Sequence, residues 1–356
     1  MMNFVKNTGR WGVLVVFAFS GLFATNAQNV PRSYIAHKTN EPMVIDGKMD
    51  EKAWKLAPWS EDYIDIEGEV TPTYRTRMKM LWDKDYLYVL AEMEEPHVWA
   101  TLKQRDTVIF YNNDFEIFID AEGDTHNYYE FEMNAHNTVW DLFLTKPYRN
   151  NGNKVIDSWD IQGVKSAVDI RGTLNDSSDT DEGWSVEIAL PWSVITEASK
   201  DGKIPENDFW RLNFSRVNWD FDLTDGRYSR KKDDNGNYLP EYNWVWSPQW
   251  VINMHEPEYW GYVYFSSEPV GGKDEFTIPK DDYIKWHLYS LHRAVLHKDK
   301  DAERRIAQPK KIFGSVLKPT IEKHKSGYNI WVKSPFTGKI LLVKEDGQFQ
   351  SFEDKK

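Results

Sequence analysis

Cysteine is absent from all 356 residues, so the chain can form no disulfide, no thiolate metal site and no lipid-modified cysteine. Long apolar runs are nearly absent as well. The one such stretch, Trp11 to Phe23, has 13 residues and is too short to span a bilayer comfortably. Basic charge is also in deficit, with 44 Lys and Arg against 56 Asp and Glu and a formal net charge of −12. That balance argues against a sequence-independent nucleic-acid surface, which rests on clustered cations, and suits neutral ligands or cations. Glycine-rich phosphate loops and the G-x-S-x-G and H-E-x-x-H motifs are missing too, which removes the commoner enzyme classes.

What is present in excess is aromatic: 17 Trp, 18 Tyr and 18 Phe make 15% of the chain, although the mean hydropathy is only −0.66. Aromatics favour strands and pack cores, and this number of tryptophans leaves some to line a binding surface. At the N-terminus, Lys6 and Arg10 precede the apolar run, and Ala24-Thr25-Asn26-Ala27 supplies small residues for cleavage before Gln28. The expectation is a secretory signal over residues 1–27. The mature chain is then soluble, in a periplasm or outside the cell, with no membrane insertion.

Short alternating segments dominate residues 33–267. Arg75–Trp82 and Tyr86–Met93 read as a hairpin around Asp83-Lys84-Asp85, Trp184–Leu190 and Trp210–Val217 as further strands, and Trp260–Ser266 as the last. Between Asp50 and Pro58 the spacing of Ala53, Trp54 and Ala57 predicts a short helix with Asp50 as N-cap. TVIFY (107–111) reads as an edge segment, 142–159 as a turn-rich insertion and 220–242 as a long loop. With almost no long helix before residue 268, the fold class is all-β: an antiparallel β-sandwich, jelly-roll-like. From residue 268 the character changes. Ile284, Leu288, Leu291 and Val295 recur at helical spacing, and 328–333 with 339–344 read as a hairpin, so residues 268–356 are expected to form a small C-terminal helix-plus-hairpin appendage.

The most telling stretch is Asp114 to Asp141. Phe115, Ile117 and Ile119 alternate with Asp114, Glu116, Phe118 and Asp120, and Tyr129, Phe131 and Met133 with Glu130, Glu132 and Asn134. If the two segments pair, carboxylates from both strands share one sheet face, where like charges need compensation from a metal ion, a basic side chain, sugar hydroxyls or solvent.

VIDGKMDEKAW, LWDKDYLYVLAEMEEP, NNDFEIFID, GWSVEIALPW and WGYVYF, in that order, resemble the family 9 carbohydrate-binding modules over roughly residues 40–266. The resemblance implies a β-sandwich that holds sugars, often beside xylan- or cellulose-degrading domains, and that carries structural calcium. In sugar-binding members two tryptophans clamp the ligand. Here Phe110 and Tyr111 stand at the first place, while Trp244, Trp246, Trp250 and His255 share the second region, so the clamp does not transfer residue by residue.

Sugar binding needs flat aromatic faces and planar polar groups. The expected ligand-binding set is therefore Asp114, Glu116, Glu130, Glu132, Asn134, Glu187 and Asn213 with Trp140, Trp219 and Trp246, and Arg216 is expected to pair with a buried carboxylate or a ligand oxygen. Calcium wants oxygen ligands gathered from loops. Its candidates are Asp120, Glu122, Asp124 and Asn127, with a second set at Asp176, Asp179, Asp181 and Glu182. No organic cofactor is expected, and His126, His136 and His255 lack ligand spacing. The expected partner is an oligo- or polysaccharide, with polysaccharide-degrading enzymes alongside. The alternatives are glycoside hydrolysis by Glu116, Glu130 and Glu132, and a structural or partner-docking module.

Overall fold

Segments whose apolar residues recur at every second position form strands with one face to bury. In the computed structural model, which describes residues 29–149 and 154–354, they begin with β1 (Ser33–Lys38), β2 (Ile64–Asp65), β3 (Thr76–Trp82) and β4 (Tyr86–Glu94). Next come β5 (Asp114–Asp120), β6 (Tyr128–Asn134), β7 (Val139–Leu144), β8 (Val155–Ile156) and β9 (Lys165–Arg171). The set continues through β10 (Gly183–Pro191), β11 (Phe209–Asn218), β12 (Phe221–Thr224), β13 (Arg227–Arg230), β14 (Tyr242–Val245) and β15 (Gly261–Pro269). Helix α1 (Lys52–Leu56) follows β1 and α2 (Trp192–Ile195) follows β10. The leader expected at residues 1–27, and residues 150–153 of the insertion, lie outside the described residues.

Among the described residues the main sheet has 13 strands, ordered β8-β7-β6-β5-β11-β15-β1-β3-β4-β10-β9, with β14 on β11 and β2 on β14. It folds over on itself. Phe115, Ile117, Phe131, Met133, Leu212 and Phe214 from one half meet Met78, Met80, Val89, Ala91, Val186 and Ile188 from the other in one core, each fully buried large side chain contributing about 1.5–3 kcal/mol. The expected β-sandwich is thus present, with one departure from antiparallel pairing. β1 runs parallel to both β15 and β3, which the long connection through α1 permits. Trp82 fastens that seam, its indole N–H donating to the carbonyls of Ala36 (3.0 Å) and Ser266 (2.9 Å).

The remaining differences are local. Ile109–Tyr111 is a 3-10 turn rather than an edge strand, and the loop expected at 220–242 holds the β12–β13 hairpin. Glu51, not Asp50, is the N-cap of α1; its carboxylate accepts the Val44 N–H at 3.2 Å instead of capping the helix.

The C-terminal segment supplies α3 (Lys280–Leu296), α4 (Ala302–Ala307), a two-stranded hairpin of β16 (Lys310–Ile312) and β17 (Ser315–Leu317), and a four-stranded sheet. That sheet is β18 (Thr320–His324), β19 (Gly327–Lys333), β20 (Ile340–Lys344) and β21 (Phe349–Phe352), two strands more than the alternation indicated. Ile284, Leu288 and Leu291 of α3 pack with Ile330, Val332, Leu341 and Val343. The opposite side of α3 lies against the sandwich: Lys285 Nζ donates to Gly123 O in the β5–β6 turn, Asp282 accepts the Tyr262 hydroxyl at 2.5 Å, and Arg293 pairs with Glu258 at 2.7 Å. One end of the outer face of β5, β6 and β11 is thereby covered by α3, and loops border the other end.

Candidate functional site

The alternation that sends Ile117 and Phe131 into the core turns Glu116, Glu130 and Glu132 outward. Register then sets the neighbours: Asp114 is opposite Asn134, Glu116 opposite Glu132 and Phe118 opposite Glu130. Flanking strands place Ser215 beside Glu116 and Trp140 beside Glu132. Over this face opens a cavity of about 360 Å³, whose walls include Phe110, Trp140, Leu142, Tyr148, Arg149, Glu241 and His255.

Although they face outward, these carboxylates are not solvated. Glu116, Glu130 and Glu132 are each at most 6% exposed and Asp114 not at all, because the Ile109–Tyr111 turn, the 246–257 loop and the insertion after β7 wall in the face. Glu132 accepts the Phe110 N–H at 3.0 Å and Asp114 the Val217 N–H at 3.2 Å, while Asp114 Oδ2 has no hydrogen-bond partner. One oxygen from each of Asp114, Glu116 and Glu132 lies within 4.8 Å of the others.

Burial pushes the Glu116 carboxyl up to about 7, with Glu241 adding to the shift and the Ser215 hydroxyl opposing it. Asp114, Glu130 and Glu132 are driven well above the carboxylate range, first by burial and then by the Glu116 charge. His255 brings no compensating charge. Its ring is held by the Tyr128 hydroxyl at 2.8 Å, and burial, then Arg149, lowers it to about 3. Burial thus favours the neutral form of these carboxyls, and a neutral carboxyl can donate as well as accept hydrogen bonds.

Of the sequence-derived ligand set, Glu116, Glu130, Glu132 and Trp140 line the cavity, and Asp114 adjoins Glu116 and Glu132. Others have structural partners. Asn134 spends its side chain on the β6–β7 turn, accepting from the His136 and Thr138 N–H groups and donating to Leu102 O. Asn213 ties down the loop after β14 through Ser247 and Gln249. Glu187 is on the other half of the sheet, where it accepts from the Trp54 indole (2.8 Å) and the Asp46 and Gly47 N–H groups; alternation identified its outward direction but not which outer face it joins. Arg216 points inward and meets Glu95 at 3.3 Å, with Thr76 and Glu94 O as further acceptors. Trp246 is in the core, edge-on to Phe214 at 5.9 Å, and Trp219 is buried behind Phe110, donating to its carbonyl at 2.7 Å.

The calcium candidates in the β5–β6 turn do not converge as a carboxylate set. Asp120 accepts the Gly123 and Thr125 N–H groups, Asp124 binds the His126 N–H and the Gln348 amide, and Glu122 and Asn127 are exposed. Lys285 supplies the cation there. Burial and then Asp124 push Asp120 up to about 7 while Lys285 pulls it down. In the second loop Asp181 accepts the Val98 and Thr173 N–H groups, and Asp176 accepts that of Ser178. Among the described residues, three carboxylates gather closely at Asp114-Glu116-Glu132 and at Asp106-Asp141-Asp160, and Arg105 already pairs with all three of the latter.

Phe110, Tyr148, Arg149, Glu241 and His255 complete the walls without having been ligand candidates. The alternation of a strand carries no trace of which distant loop will fold over it. The 142–159 insertion was legible as a segment able to border a site, and it contributes Tyr148.

Residues 45–206 match a family model described as carbohydrate family 9 binding domain-like. Endo-1,4-beta-xylanase A of Thermoanaerobacterium saccharolyticum is 29% identical over 187 residues, which is 49% of this chain and 14% of that protein. Endo-1,4-beta-xylanase C of Paenibacillus barcinonensis is 34% identical over 157 residues, 44% of this chain and 12% of that protein. The chain thus spans only a small part of the curated relatives it matches. Among solved structures, a family 9 carbohydrate-binding module from Caldicellulosiruptor kristjanssonii in complex with cellotriose is similar at 16% identity and a TM-score of 0.39, covering 69% of this chain and 100% of that one.

Proposed function

Since residues 45–206 match a family model described as carbohydrate family 9 binding domain-like, we propose that the chain is a sugar-binding protein and that its glycan sits in the cavity over β5, β6 and β7. The observation that carries this reading is the composition of the cavity: Trp140, Phe110 and Tyr148 beside Glu116, Glu130 and Glu132, within about 360 Å³. Sugar rings present an apolar face that packs on aromatic rings and an edge of hydroxyls that both donate and accept. Carboxyl groups whose neutral form is favoured by burial match such hydroxyls in both roles.

A hydrolase is the second reading, favoured by Glu116, whose carboxyl at about 7 can give up a proton at neutral pH. Geometry favours binding over it. Glycosidase carboxyls flank the scissile bond, whereas Glu116, Glu130 and Glu132 share one wall on two adjacent strands. The n-region and apolar run of the sequence support export of the chain, and the xylanase context of the matching regions supports work alongside polysaccharide-degrading enzymes.

A glycan array read for both retention and released sugar tests these readings together. Retention without product is expected. Product that disappears in Glu116→Gln would establish hydrolysis, and no retention on any glycan would leave a structural module.

A further inference from the structure

Electrostatic balance in the cavity bears on which glycan it takes. Glu116, Glu130, Glu132 and Glu241 line it, and Asp114 stands beside the first and third. Arg149, the cation among the described lining residues, is engaged elsewhere: its guanidinium donates to Ile252 O at 3.3 Å and lies over the Tyr148 ring at 5.9 Å. The contrast with the rest of the molecule is direct. Asp106-Asp141-Asp160 encloses Arg105, Glu95 has Arg216, Glu256 and Glu258 have Arg293, and the β5–β6 turn has Lys285. Asp114-Glu116-Glu132 has no such partner among the described residues, and within it Asp114, 0% exposed, keeps one oxygen with no hydrogen bond at all.

The spacing of these oxygens admits a primary ammonium. A primary ammonium makes charge-assisted hydrogen bonds of about 2.8 Å along tetrahedral directions, so its acceptors lie about 4.6 Å apart. One oxygen each of Asp114, Glu116 and Glu132 falls within 4.8 Å of the others. Trp140 and Phe110 on the walls suit the carbon skeleton attached to such a group, and an ammonium near aromatic faces gains further attraction.

We propose that the cavity selects amino sugars with a free primary ammonium, of the glucosamine type, over neutral sugars of the same ring structure, with Glu116 and Glu132 as acceptors and Asp114 completing the set. The inference rests on the sugar-binding reading above and names its substrate class. An ammonium beside these carboxyls favours their ionised form, against the burial that favours the neutral one, so protons leave on binding.

Isothermal titration near pH 7 with glucosamine oligomers, their N-acetylated forms and cello-oligomers of equal length tests this, each in two buffers of different ionisation enthalpy and with or without EDTA. The expected result is that free-amine oligomers bind more than about tenfold tighter than the other two, a gap that one charge-assisted hydrogen bond spans. Their heats should depend on the buffer, showing proton release, while those of the neutral oligomers do not. Glu116→Gln and Glu132→Gln should each remove the preference yet retain neutral oligomers, and Asp160→Asn, in the cluster closed by Arg105, should leave it intact. The wild-type buffer dependence stands as evidence even if a variant fails to fold. Equal affinity for all three series overturns the amino-sugar inference and leaves sugar binding in place; no binding to any of them also overturns the amino-sugar inference, and retention on the glycan array then decides sugar binding by itself. A preference abolished by EDTA and restored by Ca²⁺ also overturns it, since the compensating cation is then a metal ion.

Discussion

Glu116→Gln is predicted to stabilise the protein while impairing its site. Gln keeps the shape of the side chain and removes the charge that burial and Glu241 oppose. In the folded chain this carboxyl is pushed up to about 7 from an ordinary value of 4.5, a difference worth on the order of 3 kcal/mol. The sign follows from the raised value. The neutral form is favoured in the fold, so its stabilising contribution is complete below about pH 4.5 and is lost as the pH rises through about 7. Wild type and variant should therefore unfold at similar temperatures at pH 5. By pH 8 the variant should lead by about 3 kcal/mol, on the order of 5 °C for a chain of this size. Thermal unfolding followed by tryptophan fluorescence at half-unit pH steps, without glycan, measures the difference. A variant less stable than wild type at pH 8, or a gap that does not change between pH 5 and 8, would refute the reasoning, because Glu116 would then be ionised and compensated in the fold.

Three further substitutions separate scaffold from site. Glu187→Ala should cost about 2 kcal/mol, because it strips acceptors from the Trp54 indole and the Asp46 and Gly47 N–H groups, and glycan affinity measured on the folded variant should not change. Lys285→Met removes the cation beside Asp120 and Asp124 and the donor to Gly123 O; a loss of about 3 kcal/mol is expected in urea unfolding, and a neutral result would mean that α3 is not held through this residue. Gly261→Ala would set a methyl group 2.3 Å from the Trp246 ring, and in a close-packed core that overlap should cost about 3 kcal/mol by the same assay.

Much of this scaffold was legible because strands announce themselves by alternation. β3, β4, β10 and β11 lie within a residue or two of the segments read from the sequence, and the sharing of one sheet face by Glu116, Glu130 and Glu132 followed from pairing the two segments as a hairpin, while the register that sets Glu116 opposite Glu132 came from the fold. Alternation tells which side of a strand a residue faces and nothing about what covers that side. Asn134, Asn213 and Glu187 are polar and outward-facing like Glu116, yet each is consumed by backbone groups of a neighbouring loop. Conversely Phe110, Tyr148 and His255 reach the cavity from loops whose conformation depends on contacts distant in sequence. Arg216 shows the intermediate case. Its place after Phe214 on the inward face implied a buried partner, and identifying that partner as Glu95 required the fold.

The central claim is that the cavity over β5, β6 and β7 holds a sugar, and Trp140 is the residue that tests it with least damage to the fold, being half-buried at the cavity wall beside Glu132. Calorimetric titration of wild type and Trp140→Ala against the glycan that the array retains best is the direct measurement. One site per chain in wild type, weakened more than about tenfold in the variant as expected for loss of an aromatic platform, is the predicted result. Equal affinity in the two proteins, with both folded, would place the sugar elsewhere and contradict the account.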